Sequence, residues 1–345
     1  PPSYRFDMEI EEDLIEEIAR LHGYDNIPAP PPKARLAMMP LPENRRGPMA
    51  ARHLLAERGY FEVVTMSFVE AGGEADFAGN VSPIPLANPI ASQMGVMRST
   101  LIGGLVGVLA ANRKRQIDRV RVFEVGRVFT RAVGQPVAGF GQPLRLGALW
   151  AGPVLHDQWG SSPRNADFFD IRGDLEALFA PRVPTFEKTD HPALHPGRAA
   201  RVMLDGHEIG VVGELHPRWM QKHELGSAAV VFEIDLEALL TTAMPAYRET
   251  SRLPAVIRDL ALVVPRHQAF QSVLDALRAA APALVREIVL FDVYQGKGLL
   301  EWQKSLAFRI VMQDTERTLA DAEVEAVVAG LIDAATRHCG AVLRS

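Results

Sequence analysis

An α+β fold in three successive segments is what this sequence predicts, and three observations predict it. An acidic helix at the front is cut off by a proline-rich stretch from Pro28; a middle segment mixes alternating strands, a hairpin and long helices; and from Ser251 the apolar pattern runs strand, helix, strand, strand, helix, strand. That last order, β-α-β-β-α-β, is ferredoxin-like, an arrangement that covers one sheet face with helices and leaves the other open.

Tyr4, Phe6, Met8 and Ile10 alternate with Arg5, Asp7 and Glu9, the period of a half-buried strand with Asp7 on its open face. From about Glu11 the period turns helical: Leu14, Ile15, Ile18 and Leu21 form a stripe, and Gly23 stops it. Seven carboxylates fall between Asp7 and Glu17. Asp13, Glu16 and Glu17 share one helical face, where Asp7 could join them. Oxygen ligands without His or Cys suit Mg²⁺, which usually takes one or two carboxylates and keeps waters. The residues equally suit a solvated face: acids favour a helix N-terminus, and Glu16 with Arg20 makes an i, i+4 ion pair.

"PAPPPKARLAMMPLPENRR" reads as an extended linker. Near Gly47 a helix begins that Gly59 closes, and "FEVVTMSFV" follows as one strand. A helix is expected from about Thr100 to Arg115, with basic residues at its carboxyl end. "RVRVFEVGRVFTRA" and "LRLGALWAG" are strands around a flexible "GQPVAGFGQP", and "DFFDIRGDLEALF" is a helix. "AARVMLDGHEIGVVGEL" is a hairpin turning at Asp205-Gly206. Beyond Ser251, "RDLALVV", "VREIVLFDVYQG", "KSLAFRIVMQ" and "AVLR" are the strands. Helices carry Phe270, Val273, Leu274 and Leu277, then Val324, Val327, Val328, Leu331, Ile332 and Ala335.

Composition narrows the function. A chain of 345 residues with 48% hydrophobic and 23% charged residues is a globular protein of two or three domains. The net charge of −5 gives no global attraction to nucleic acid, and from Ser251 eleven basic residues balance eleven acidic ones. Cys339 stands alone, which excludes an internal disulfide and fits a reducing cytosol. No apolar run reaches membrane-spanning length. The start at Pro-Pro, directly in a strand-like pattern, predicts a fragment of a longer protein.

Motifs for chemistry are sparse. There is no G-x-x-x-x-G-K-[ST] loop. His191, His195 and His216 each precede a proline and read as residues that cap or line turns. The serines of "HDQWGSSPRNAD" lack the frame of a nucleophile elbow. No catalytic residue is nominated. On the strand "VLFDVYQG", regular alternation sends Val289, Phe291 and Val293 one way and Ile288, Leu290, Asp292 and Tyr294 the other, while Arg309 faces away from the core of its strand. An aromatic and a basic residue on an open sheet face match a platform for single-stranded RNA bases; alternatively Tyr294 covers a sheet edge.

"SRLPAVIRDLALVV", "LFDVYQGKGL", "KSLAFRIVMQDTERTLADAEVEAVV" and "GAVLR" resemble the ferredoxin-fold anticodon-binding domain that ends the β subunit of bacterial phenylalanyl-tRNA synthetase. "RFDMEIEEDLIEEIARLHGYDNIP" resembles the end of its B5 domain, and "NPIASQMGVMRSTLIGGLVGVLAANRKR", "VFEVGRVF", "LHPGRAA" and "GELHP" its synthetase-like middle. The resemblance implies three parts: residues 1–28 ending B5, 29–247 a class II synthetase-like antiparallel sheet with helices, and 251–345 the anticodon-binding domain. It implies a cytoplasmic (αβ)₂ heterotetramer whose α subunit attaches phenylalanine to tRNA(Phe) with ATP. The chain carries neither F-R-x-E nor G-x-G-x-G-x-x-R, the class II motifs whose arginines clamp ATP, so it is expected to dock α rather than catalyse.

The family's Mg²⁺ site has the spacing D-x5-D-x2-E-E, which Asp7, Asp13, Glu16 and Glu17 reproduce, and Tyr294 matches the tyrosine of F-D-x-Y that stacks on an anticodon base. Lys297 and Arg309 join Tyr294 as expected tRNA contacts by neighbourhood and strand parity. Editing and aminoacylation by this chain alone are not expected, because the family's earlier domains are missing. Two other readings remain: a free-standing ferredoxin-like RNA-binding or regulatory module fused to a synthetase-like remnant, and an enzyme using the carboxylates with Mg²⁺.

Overall fold

Leu146, Ala148 and Trp150 of one strand enter one apolar core while Leu149 and Ala151 enter another, and Phe232 and Val231 divide in the same way on the strand paired beside it. A sheet buried on both faces needs helices on both sides, and the remaining sequence supplies them. The computed structural model describes residues 1–34, 38, 40, 42–132, 137, 139–247 and 249–344, in two compact units, Pro1–Glu43 and Asn44–Ser345.

The first unit holds α1 (Glu11–His22). The strand expected before it is absent: residues 4–10 form turns, with Arg5 N–H donating to Pro2 O and Met8 N–H to Arg5 O. Among the described residues no strand pairs with this segment, and alternation alone does not make one. Gly23 ends the helix as expected, its N–H donating to Ala19 O. Residues 28–34 carry no regular structure; the rest of the expected linker lies partly outside the described residues.

In the second unit come α2 (Pro48–Glu57), β1 (Phe61–Glu62), β2 (Phe68–Val69), α3 (Ala71–Ala78), β3 (Val96–Met97), α4 (Ile102–Arg113), β4 (Val120–Arg127), β5 (Thr130–Arg131), β6 (Phe140–Gly141) and β7 (Leu144–Ala151). The expected flexible loop at 134–143 falls partly outside the described residues, and Phe140–Gly141 within it pairs with Thr130–Arg131. Next are α5 (Phe168–Phe179), β8 (Thr185–Lys188), β9 (Leu194–Leu204), β10 (His207–Leu215), α6 (Pro217–Lys222), β11 (Ala229–Asp235) and α7 (Glu237–Leu240).

Seven strands align as β1-β4-β7-β11-β10-β9-β8, antiparallel except for β1 with β4. Asp205 (φ 49°) and Gly206 (φ 80°) turn β9 into β10, the left-handed pair that a two-residue hairpin demands. Asp167 caps α5 by accepting from Phe169 N–H at 2.8 Å, and Asp170 returns the contact by accepting from Asp167 N–H at 2.9 Å. Leu55 of α2 with Ile171, Leu175 and Leu178 of α5 covers one sheet face; Ile102, Leu105, Val106 and Leu109 of α4, with Phe77 and Trp219, covers the other.

The α4 face also buries three carboxylates, all met by one short segment. Arg98 Nη1 donates to Glu124 Oε1 at 2.8 Å, Ser99 N–H to Glu74 at 2.6 Å, and Thr100 Oγ1 and Leu101 N–H both to Glu233 Oε2 at 2.6 Å. Arg98 also reaches Thr65 O and Oγ1, which splits the single strand expected at 61–69 into two short pieces.

The chain ends with β12 (Val256–Pro265), α8 (Phe270–Ala280), β13 (Val285–Tyr294), β14 (Gln303–Met312), α9 (Asp321–Cys339) and β15 (Val342–Leu343). The strand order is β13-β14-β12-β15, antiparallel throughout, which is the ferredoxin-like topology expected from the sequence. Leu260, Leu262, Leu306, Phe308 and Ile310 pack with Val273, Leu277, Val324 and Leu331 of the two helices. Among the described residues no helix is long and apolar enough to cross a membrane.

Burial pushes the Glu233 carboxyl up from its ordinary value of 4.5, against its hydrogen bonds to Thr100 and Leu101. A carboxyl raised in the folded state binds more protons there than when unfolded, so its effect on stability turns unfavourable as pH rises above the unfolded value. Glu233→Gln keeps an acceptor for Thr100 and Leu101 without the charge. Its melting temperature relative to the unsubstituted chain should therefore rise between pH 5 and pH 8; a difference that is flat or falls over that range would contradict a desolvated Glu233.

Candidate nucleic-acid interface

The two groups of residues singled out by sequence lie in different units, and each has its own local chemistry. On α1 and the turn before it the four carboxylates are already engaged or dispersed. Arg5 Nη2 donates to Asp7 Oδ2 at 2.9 Å and to Glu17 Oε1 at 2.9 Å, and Arg20 Nη2 donates to Glu17 Oε2 at 2.5 Å. Asp13 Oδ2 accepts from Glu9 and Ile10 N–H at 2.8 and 3.0 Å, closing the helix N-terminus. Glu16 is exposed, and Glu17 rather than Glu16 takes the ion pair with Arg20.

The guanidinium of Arg5 holds the Asp7 carboxyl below its ordinary range; Arg20 first and Arg5 second do the same for Glu17; the backbone N–H groups of Ile10 and Glu9 lower Asp13. A cation between Asp7 and Glu17 would have to displace Arg5. Among the described residues no three His, Cys, Asp or Glu side chains converge to hold a metal ion while Arg5 bridges Asp7 and Glu17.

The second group sits on the helix-free face of the C-terminal sheet, and a bulge decides who is on it. Leu290 pairs with Phe308, but Asp292 pairs with Ala307 and Tyr294 with Ser305, so Phe291 is an extra residue in β13. Regular alternation would have put Tyr294 on the side of Ile288 and Leu290, which face the helices. The inserted residue reverses that parity, and Tyr294 joins Arg309 on the open face.

Arg309 is held there. Its Nε and Nη2 donate to the two oxygens of Asp259 at 2.9 and 3.0 Å, and its guanidinium carbon lies 5.0 Å from the centre of the Phe291 ring. The Arg309 guanidinium keeps the Asp259 carboxyl below its usual range. The Tyr294 hydroxyl donates to Lys297 O at 3.1 Å, and the guanidinium of Arg344 stands 4.6 Å over the Tyr294 ring. Lys297 is exposed. The face thus carries two aromatic rings, each topped by an arginine, which is a surface suited to flat, π-faced ligands.

Tyr294 and Lys297 are joined by the hydroxyl-to-carbonyl hydrogen bond, while Arg309 lies on the same open face over Phe291, four residues along β14 from Ser305, the partner of Tyr294. Asp259, Phe291 and Arg344 were not singled out from the sequence. Asp259 was findable, since strand parity places it opposite Arg309; Phe291 and Arg344 depend on the bulge and on the last strand's register. In the middle segment, His191, His195 and His216 each accept at Nδ1 from the backbone N–H two residues on, at 3.3, 3.0 and 3.1 Å, as turn caps.

Residues 27–236 match the family described as the phenylalanyl tRNA synthetase beta chain CLM domain, 251–344 the ferredoxin-fold anticodon binding domain, and 1–24 the tRNA synthetase B5 domain. The phenylalanine–tRNA ligase beta subunit of Aromatoleum aromaticum (strain DSM 19018 / LMG 30748 / EbN1) is 57% identical over 345 residues, covering 100% of this chain and 44% of that protein. That of Dechloromonas aromatica (strain RCB) is 56% identical over 349 residues, with the same coverage of each. This chain thus spans less than half the length of these curated relatives.

Removing Arg5 tests the local electrostatics of α1. In Arg5→Ala the Asp7 carboxyl should titrate at higher pH than in the unsubstituted chain, while Asp13, held by backbone N–H groups and only weakly coupled to the Asp7 charge, should move much less. Carboxyl-carbon NMR titration reads both, and an unmoved Asp7 would show that Arg5 does not hold it in solution.

Proposed function

Because the chain belongs to the phenylalanyl-tRNA synthetase β-chain family, we propose that it is part of a non-catalytic subunit of phenylalanine–tRNA ligase, docking a catalytic α subunit and gripping tRNA(Phe) by its anticodon. The observation that carries this reading is the open face of the C-terminal sheet, where Tyr294 and Phe291 offer rings and Arg309 and Lys297 positive charge. A single-stranded loop presents unpaired bases, and aromatic residues on an exposed sheet stack them without needing net positive charge over the whole domain.

Two features support a supporting role for the middle segment. Its sheet is covered by helices on both faces, and its buried arginine, Arg98, is paired internally with Glu124, with only 5% and 2% of the two side chains exposed. Such an arginine is committed to the fold rather than to a nucleotide's phosphates. The α subunit that attaches phenylalanine to tRNA with ATP, the (αβ)₂ assembly and a cytoplasmic location belong to the same reading, as do domain limits at 1–28, 29–247 and 251–345.

Mg²⁺ on Asp7, Asp13, Glu16 and Glu17 is its finest part, and it rests on the D-x5-D-x2-E-E spacing. Because Arg5 bridges Asp7 and Glu17, the ion requires Arg5 to leave. Adding MgCl₂ should raise the melting temperature of Arg5→Ala more than that of the unsubstituted chain, and Glu17→Gln in that background should abolish the rise. No Mg²⁺-dependent rise in Arg5→Ala would remove these carboxylates as ligands.

For the platform, Tyr294→Ala should weaken binding of tRNA(Phe) by about 1 to 3 kcal/mol. Filter binding or fluorescence anisotropy checks this, with the melting temperature as a control for folding; unchanged affinity in a folded variant would sink the anticodon reading.

A further inference from the structure

Resting on the reading that the open face takes single-stranded RNA, we propose that Arg344 is the second wall of the Tyr294 station, so that one base enters between guanidinium and phenol and is held from both sides.

The two arginines of this face are restrained very differently. Arg309 is gripped by both oxygens of Asp259 while it covers Phe291. Arg344 has its backbone N–H anchored to Ala261 O at 2.9 Å, just past β15, but among the described residues its side chain has no carboxylate partner. Among the described residues the one side chain its guanidinium is seen to rest on is the Tyr294 ring, 4.6 Å from the centre. Arg309 is a fixed cover, and Arg344 a movable one.

The ring beneath is fixed. Tyr294 is half-buried on β13, opposite Ser305, and its hydroxyl is tied to Lys297 O. A flat base between two planes needs about 3.5 to 4 Å on each side, so Arg344 must lift by roughly 3 Å. A long, exposed arginine side chain with a fixed backbone can do that by changing rotamers. The base then gains an aromatic plane below and a delocalised cation above. Before binding, Arg344 shields the ring from water. Its guanidinium plane is what the role requires, since a lysine ammonium is a point charge without a face.

The test uses the full chain and an anticodon stem-loop RNA carrying 2-aminopurine in its loop, whose fluorescence is quenched on stacking. Arg344→Ala should weaken binding about two- to five-fold and reduce the quenching. Arg344→Lys should show a loss that persists at high salt, and the Tyr294→Ala, Arg344→Ala double variant should lose less than the product of the single losses. If Tyr294→Ala weakens binding while Arg344→Ala matches the unsubstituted chain or binds tighter, Tyr294 acts without a second wall and the proposal is overturned. Full affinity in Arg344→Lys at every salt concentration overturns it too, leaving only charge. If neither Tyr294→Ala nor Arg344→Ala changes binding, the RNA platform itself fails, and the proposal with it.

Discussion

Four consecutive residues, Arg98 to Leu101, hold the central sheet to its helices through three buried carboxylates. Glu124 comes from β4, Glu74 from α3 and Glu233 from β11; without this segment Glu124 would keep only the Thr65 hydroxyl, and Glu74 and Glu233 would lose the hydrogen bonds that hold them in an apolar layer. A buried charge that loses its partner is far more damaging than one never introduced, typically by about 3–5 kcal/mol. The network fixes where α4 begins and which way it leans on the sheet. It also decides local detail: Arg98 takes the carbonyl of Thr65 and so ends the pairing of the segment after β1.

The C-terminal sheet solves a different problem. One face is closed by α8 and α9, and the other must remain open yet soluble. Arginines over aromatic rings do both, since each ring is shielded by a cation that water can still reach. The bulge at Phe291 belongs to this arrangement, because it puts an extra ring on the open face and turns Tyr294 toward it. A regular β13 would have sent Tyr294 to the side where Ile288 lies buried among Leu260, Leu277 and Phe308.

Much of this was legible in the sequence where local chemistry and burial agree. The Asp205-Gly206 turn, the Asp167 cap and the alternating β12 and β14 each carry their own signal in a few residues. β11 carries none of that kind: "AVVFEID" is buried on both faces, so its apolar run lacks the period that marks a strand. The front of the chain misleads in the opposite way, with perfect alternation and, among the described residues, no strand beside it. At the site, the sequence reading set Tyr294 and Arg309 on one open face; what it missed is how they come to share it, because one inserted residue reverses the parity of everything after it.

Charge explains why the site had to be local. Beyond Ser251 the acids equal the bases, and Asp259 and Asp292 stand on the open face itself. A long-range field would therefore do little to draw in a polyanion, and the paired Arg309 is partly neutralised before any ligand arrives. What remains is short-range: ring faces, guanidinium planes and the exposed Lys297 beside them. On the anticodon reading proposed above, binding built this way would depend on bases being unpaired and accessible rather than on the number of phosphates, and so would favour a loop over a duplex. The same logic separates this part of the chain from the central sheet, where arginine is spent on internal carboxylates: one region uses guanidinium groups to fix the fold, the other leaves their planes exposed for a ligand.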